Sequence, residues 1–214
     1  MQTLFDKLKD FDKKINASTN ETNLDDYFRV LAPSFLYGGY IQVRNDYKVY
    51  IRTVEFYFHS EKEKAVKDPI VYHRNGRNLE IVPYFPLMSL HAHQSGIDIT
   101  FENEKKEYMA SALIRSYEVK NKDGKYLVWS KNKFLESVEY NYNTQSTYIY
   151  DLLNGFALGD ENGIRWVDES RTQTKDIIEK TRQNVFQSED DIVYKPIKDK
   201  RCNHKWSFTR EEQV

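Results

Sequence analysis

The chain has 214 residues, with 32 Lys and Arg against 33 Asp and Glu, for a formal net charge of −1. This balance excludes a binder that holds nucleic acid by overall charge alone, while a local basic groove stays open. Hydrophobic residues make up 39% and aromatics 14%, so a disordered chain is excluded and a folded domain with a Tyr/Phe-rich core or cleft is expected.

Cys202 is the single cysteine, so no internal disulfide can form. Met1 is followed by no charged-then-apolar leader, and no run approaches the roughly 20 apolar residues that span a bilayer. Together these features predict a cytoplasmic protein without a membrane segment. The sequons Asn16-Ala17-Ser18 and Asn20-Glu21-Thr22 then read as plain polar linker.

Thr3 to Ile15 reads as an amphipathic helix, with Leu4, Leu8, Phe11 and Ile15 on one face. Asn16 to Thr22 breaks it. A second helix is expected over Leu24 to Leu31, capped by Thr22 or Asn23, with Pro33 starting a separate short turn and Gly38-Gly39 closing it. Strands follow at Tyr40 to Arg44 and Lys48 to Phe58, joined at Asn45-Asp46-Tyr47. Period-two alternation groups Val49, Ile51, Thr53, Glu55 and Tyr57 on one face of the second strand. Ser60 to Asp68 reads as a loop or short helix. Further strands are expected at Leu79 to Val82, Met88 to His93, Gly96 to Phe101 and Tyr108 to Lys120, with a turn at Asn121 to Gly124. Trp129 to Tyr150 is ambiguous, Ile164 to Val167 reads as a strand, Asp168 to Asn184 as a helix or an excursion, and Lys205 to Thr209 as a closing strand. No internal repeat or low-complexity tract divides the chain. The order predicts one α+β domain: a curved, mainly antiparallel sheet flanked by helices over 23–214, preceded by a helix and linker over 1–22.

Two strands each carry one ionisable side chain in an otherwise apolar or aromatic run. Glu55 sits in Thr53-Val54-Glu55-Phe56-Tyr57, and Arg115 in Leu113-Ile114-Arg115-Ser116-Tyr117. A glutamate in such a run is costly unless it is paired or solvated. Glu55 therefore has two readings: a structural carboxylate bonded at a sheet edge, or a general base held beside a water. Arg115 either reaches solvent along its stem or faces a cleft. It is expected to share a face with Met109, Ser111, Leu113 and Tyr117.

His91 and His93 are two apart and share a strand face, and Asp98 is a conceivable third ligand. With no CxxC or HExxH pattern, no metal site is expected. From Lys195 to Arg210 six Lys/Arg stand against one aspartate, interleaved with Trp206 and Phe208. Lys198, Lys200, Arg201, Lys205 and Arg210 are the candidates for phosphate contact; a solvated basic face is the alternative.

The order of segments resembles the alkyladenine (3-methyladenine) DNA glycosylases. Leu31-Ala32-Pro33-Ser34-Phe35-Leu36-Tyr37-Gly38, then Tyr40-Ile41-Gln42-Val43-Arg44, then Thr53-Val54-Glu55-Phe56-Tyr57 follow that family's helix, turn and hairpin. Gly96 to Glu118 looks like its next two strands, and Lys205 to Arg210 like its closing strand. The resemblance implies that Glu55 is the catalytic base, that Arg115 holds the attacking water and that Tyr57 stacks on the base. It also implies a monomeric, cofactor-free base-excision hydrolase acting on damaged purines in duplex DNA, with a sheet similar to the glycosylase and formyltransferase C-terminal-domain folds.

Several positions depart from the family. Ser95 stands where the family wedges a tyrosine into DNA, Ala92 replaces a stacking aromatic, and Glu102 replaces an asparagine. No histidine falls at the family's base-contacting position, which leaves His59 or His73 as a spatial substitute. Tyr84, Phe85, Leu87 and Met88 are the candidates for a replacement wedge. The alternative function is a nucleic-acid-binding or protein-interaction module that keeps the fold without the reaction.

Overall fold

The structure is a computed structural model that describes residues 2–15, 21–60, 65–66, 68, 71, 85–93, 96–102, 105, 107–129, 133–134, 156–158, 163–172, 176–182, 186–190, 193–196 and 204–211. His73, Ser95, Lys198, Lys200 and Arg201 lie outside these residues, as do the expected strand at Leu79 to Val82, the candidate wedge Tyr84 and most of Trp129 to Tyr150.

Helical spacing of Leu4, Leu8 and Phe11 produces α1 (Leu4–Lys14), whose apolar face is buried. Thr3 caps it: the Thr3 hydroxyl accepts from the Asp6 N–H at 3.1 Å, and the Asp6 carboxylate accepts from the Thr3 N–H at 3.2 Å. Helix α2 (Glu21–Tyr37) runs unbroken through Pro33, where the sequence predicts two separate elements. Proline removes one backbone bond and normally ends a helix. Here Leu24, Phe28, Leu31, Ala32, Phe35 and Leu36 are all at most 3% exposed, and their burial on both sides of the proline outweighs that loss. The helix ends at Gly38, whose N–H donates to the Ser34 carbonyl. A side chain on Gly38 would collide with that carbonyl.

The strands are β1 (Gly39–Val43), β2 (Tyr47–His59), β3 (Ser89–His93), β4 (Gly96–Thr100), β5 (Met109–Asn121), β6 (Tyr126–Leu127), β7 (Phe156–Ala157), β8 (Ile164–Asp168), β9 (Ile177–Lys180), β10 (Phe186–Asp190), β11 (Val193–Pro196) and β12 (Ser207–Arg210). β10 and β11 pair with each other; the other ten form one sheet in which every pairing is antiparallel. It curls into a half-barrel. Its spine is the long β2–β5 pair. One edge of β2 takes β1 and then β12, while β5 takes β4 and then β6. Sequence reading placed no strand over the stretch that forms β9, which is only four residues long and is held by pairing with β12.

One face of the sheet packs on both helices. Phe56 is the centre of that core, stacked on Phe28 at 4.6 Å and edge-on to Phe35, Phe101 and Phe208. Phe11 of α1 contacts Phe28, Phe58 and Phe101 in the same cluster, so α1 is an integral part of the domain. The boundary expected at residue 22 falls within the first turn of α2.

Strict alternation fails in the middle of the spine. The register runs Ile51↔Tyr117, Thr53↔Ser116, Val54↔Ile114, stepping past Arg52 on β2 and Arg115 on β5. These paired bulges shift the phase of both strands. Val49 and Ile51 therefore enter the same core as Val54, Phe56 and Phe58, not the face of Glu55 that alternation assigned them. Tyr117, expected beside Arg115, likewise packs against the core.

Candidate functional site

Behind the core face, the opposite face of β2 presents Thr53, Glu55 and Tyr57. Cross-strand register extends a row from Glu55 in both directions: Lys180, Ser207, Glu55, Leu113, Asp98 and His91 lie opposite one another on β9, β12, β2, β5, β4 and β3. Leu113, not Arg115, is the residue directly across from Glu55. The bulge re-aims Arg115 so that its guanidinium reaches back along the strand.

The result is a closed triangle. Arg115 Nε donates to Glu55 Oε2 at 2.6 Å, Arg115 Nη2 donates to the Tyr57 hydroxyl at 3.3 Å, and Tyr57 donates to the same Glu55 oxygen at 3.1 Å. Burial pushes the Tyr57 phenol far above its ordinary range; the Glu55 charge adds to this and Arg182 and Arg115 oppose it. Tyr57 is therefore a neutral donor. Burial works against the Arg115 charge, but Tyr57 and Glu55 outweigh it and hold the guanidinium above its ordinary value.

Glu55 and Arg115 both line a cleft of about 540 Å³, whose walls include Thr53, Tyr117, Trp129, Phe134, Lys180 and Thr209. The Glu55 side chain is 1% exposed and that of Arg115 18%, so the carboxylate is at the floor and the guanidinium on the wall. Trp129, Tyr117 and Phe134 supply aromatic surface, and Lys180 and Arg115 supply positive charge.

Tyr57 is placed differently from the stacking role expected of it. Its ring is 1% exposed, with the Arg182 guanidinium 4.6 Å above it. Arg182 is itself buried, ion-paired to Asp68, and within 5.3 Å of the Trp206 ring. Neither Arg182 nor Asp68 was distinguishable in the sequence, where each sits in a polar stretch without periodicity.

Among the described residues, His59 and His91 are both buried elsewhere on the sheet. His59 is buried at the end of β2. His91 packs its ring on Phe85 at 4.5 Å and lies opposite Asp98. His93 is opposite Gly96, and its side chain is outside the description. Among the described residues no group of three His, Cys, Asp or Glu is arranged to hold a metal ion. Glu102 is buried and accepts the Phe85 N–H at 3.2 Å, which ties down the chain entering β3. Ala92 points into the core. Of the described basic candidates, Lys205 is exposed, whereas Arg210 is ion-paired to Glu118 at 2.5 Å, and Arg52 holds the other oxygen of Glu118 at 2.9 Å. No helix among the described residues is long and apolar enough to cross a membrane.

Compared with family models, curated proteins and solved structures, the chain matches none.

Proposed function

We propose that this protein is a divergent DNA glycosylase that hydrolyses the N-glycosidic bond of damaged purines with a Glu55-activated water. The observation that carries this reading is the triangle at the cleft floor, where one carboxylate oxygen is fixed by Arg115 and Tyr57 beneath an aromatic wall. The resemblance of the β2 and β5 segments, in sequence, to those of the alkyladenine glycosylases supports it.

In this mechanism a water on Glu55 attacks the sugar C1′. The new bond is O–C1′, and the bond that breaks is C1′–N, whose electron pair leaves with the base. Glu55 takes the water proton and returns it to solvent. Arg115 balances the carboxylate charge and positions the water. Tyr57 fixes the carboxylate, and Trp129 takes over the stacking surface that Tyr57 lacks. Flipping the nucleotide costs a few kcal/mol, so an alkylated or deaminated base that pairs weakly is the favoured substrate.

The test is base release from duplex DNA carrying a panel of alkylated and deaminated purines. Wild-type protein releases at least one of them and Glu55→Gln releases none; a wild-type protein inert on the whole panel overturns the reading. The burial of Glu55 favours one second reading, a non-catalytic module in which the pair holds β2 to β5. Under that reading Glu55→Gln lowers stability and no lesion is processed.

A further inference from the structure

The sheet face that carries Glu55 continues past the bulge onto β1, β5, β6 and β8. Because Ile41, Val43, Val49, Val119 and Ile164 all enter the core, their neighbours Tyr40, Gln42, Lys48, Tyr50, Lys120 and Arg165 point to the other side. Register aligns Arg165, Gln42, Lys48, Lys120 and Tyr126 in a single row across five strands. At ordinary strand spacing the row is roughly 19 Å long.

Lys48 and Lys120 are directly opposed, an arrangement of like charges that costs stability. No carboxylate among the described residues pairs with either ammonium. Each is seated on tyrosine rings instead: Lys48 lies 4.6 Å above Tyr40, and Lys120 lies 4.5 Å above Tyr126 and 5.6 Å above Tyr50. The guanidinium of Arg171 covers Tyr50 from 4.3 Å. At the β8 end the row runs into a cavity of about 370 Å³, lined by Gln42, Arg44, Asn45, Gly163 and Arg165. Glu118 is held between Arg52 and Arg210, and Glu169 lies 3.9 Å from Arg171.

We infer that the Arg165–Lys48–Lys120 row is a track for the sugar-phosphate backbone of a nucleic acid, with a phosphate seated between the two lysines and the track ending in the Arg44–Arg165 cavity. The tyrosines serve as platforms that hold the cations in place, so binding is independent of sequence. The inference rests on the glycosylase reading for its choice of polyanion, since the row shares its sheet face with Glu55. It places the main phosphate contacts on β2, β5 and β8, away from the basic tail.

The experiment measures anisotropy of a short, undamaged labelled duplex against wild type, K48Q/K120Q and K13Q. Wild type binds, and affinity falls steeply with salt. Loss of the one phosphate shared by the two lysines reduces the log–log salt slope by about 1, so that between about 50 and about 200 mM salt wild-type affinity falls about three- to fourfold more than that of K48Q/K120Q. K13Q, changed on α1 where Lys13 pairs with Asp10, binds like wild type. An unchanged slope in K48Q/K120Q, an equal loss in K13Q, or binding to phosphatidylserine vesicles in place of the duplex each overturns the track. Row-dependent duplex binding without release of any lesion overturns the glycosylase alone; release with an unchanged slope overturns the track alone.

Discussion

Arg115 and Glu55 meet, Nε to Oε2 at 2.6 Å, although the residue directly across from Glu55 is Leu113. The contact exists because β5 bulges at Arg115 where β2 bulges at Arg52. Without that irregularity the guanidinium would stand opposite Thr53. A β-bulge beside a polar cluster is a common device for aiming one side chain.

Truncating Arg115 removes the countercharge of a carboxylate whose side chain is 1% exposed and leaves it the Tyr57 hydroxyl. Arg115→Ala is expected to lower unfolding free energy by about 3 kcal/mol, the low end for a broken buried pair because the guanidinium keeps some solvent. Arg115→Lys retains the charge but cannot serve Glu55 and Tyr57 together, so it falls between Ala and wild type. Urea denaturation of the three proteins gives the order; Ala and Lys variants equal to wild type would refute a structural share for the pair.

The buried Arg182–Asp68 pair behaves differently. Both side chains are 0% exposed. Asp68→Asn leaves a guanidinium with less compensation and costs about 3–5 kcal/mol, while the double variant Asp68→Leu/Arg182→Met recovers most of that loss because neither charge remains to be desolvated. Thermal melts of the single and double variants check the sign of the coupling.

Alkaline pH is expected to destabilise the fold. Burial raises Tyr50 and Tyr117 to about 12 and Tyr57 further. Above about pH 10 an unfolded tyrosine releases its proton while these three retain theirs, so the native state binds more protons and stability falls as pH rises. Each contributes a slope of about 1.4 kcal/mol per pH unit, starting near pH 10 and, for Tyr50 and Tyr117, ending near 12. Tyr57→Phe removes one such slope while keeping the ring under Arg182. Denaturation midpoints across this window should separate the variant from wild type, converging as pH rises.

Phe56 sits among four aromatic neighbours at 4.6 to 6.3 Å. Phe56→Ala is expected to cost about 3–5 kcal/mol through lost burial and an unfilled cavity. A loss below about 1 kcal/mol in a denaturant titration would mean that the helices do not pack on β2 as described.

Under the proposed glycosylase reading, Trp129→Ala is expected to raise KM with little change in the chemical step, since stacking on a base contributes about 1–3 kcal/mol. Single-turnover base release, compared with steady-state kinetics, distinguishes this from Glu55→Gln, which removes the chemical step itself.

Local pattern was enough for the elements that are long and periodic. The apolar spacing in Leu4 to Phe11, the hairpin around Asn45, and the β-rich runs around Glu55 and Arg115 are properties of neighbouring residues, and each became the expected helix or strand. A lone ionisable group in an apolar strand also marks itself, because its burial demands a partner; that singled out Glu55 and Arg115 before any fold was known. Continuity of α2 through Pro33, the insertion of β12 beside Glu55, the covering of Tyr57 by Arg182 and Asp68, and the alignment of Lys48 with Lys120 were decided by tertiary structure. The first rests on burial of the helix against the sheet; the others join residues distant in the chain and depend on strand register. Register here is set by two bulges that shift the period-two phase, which no window of sequence carries, since a bulge is a relation between two strands.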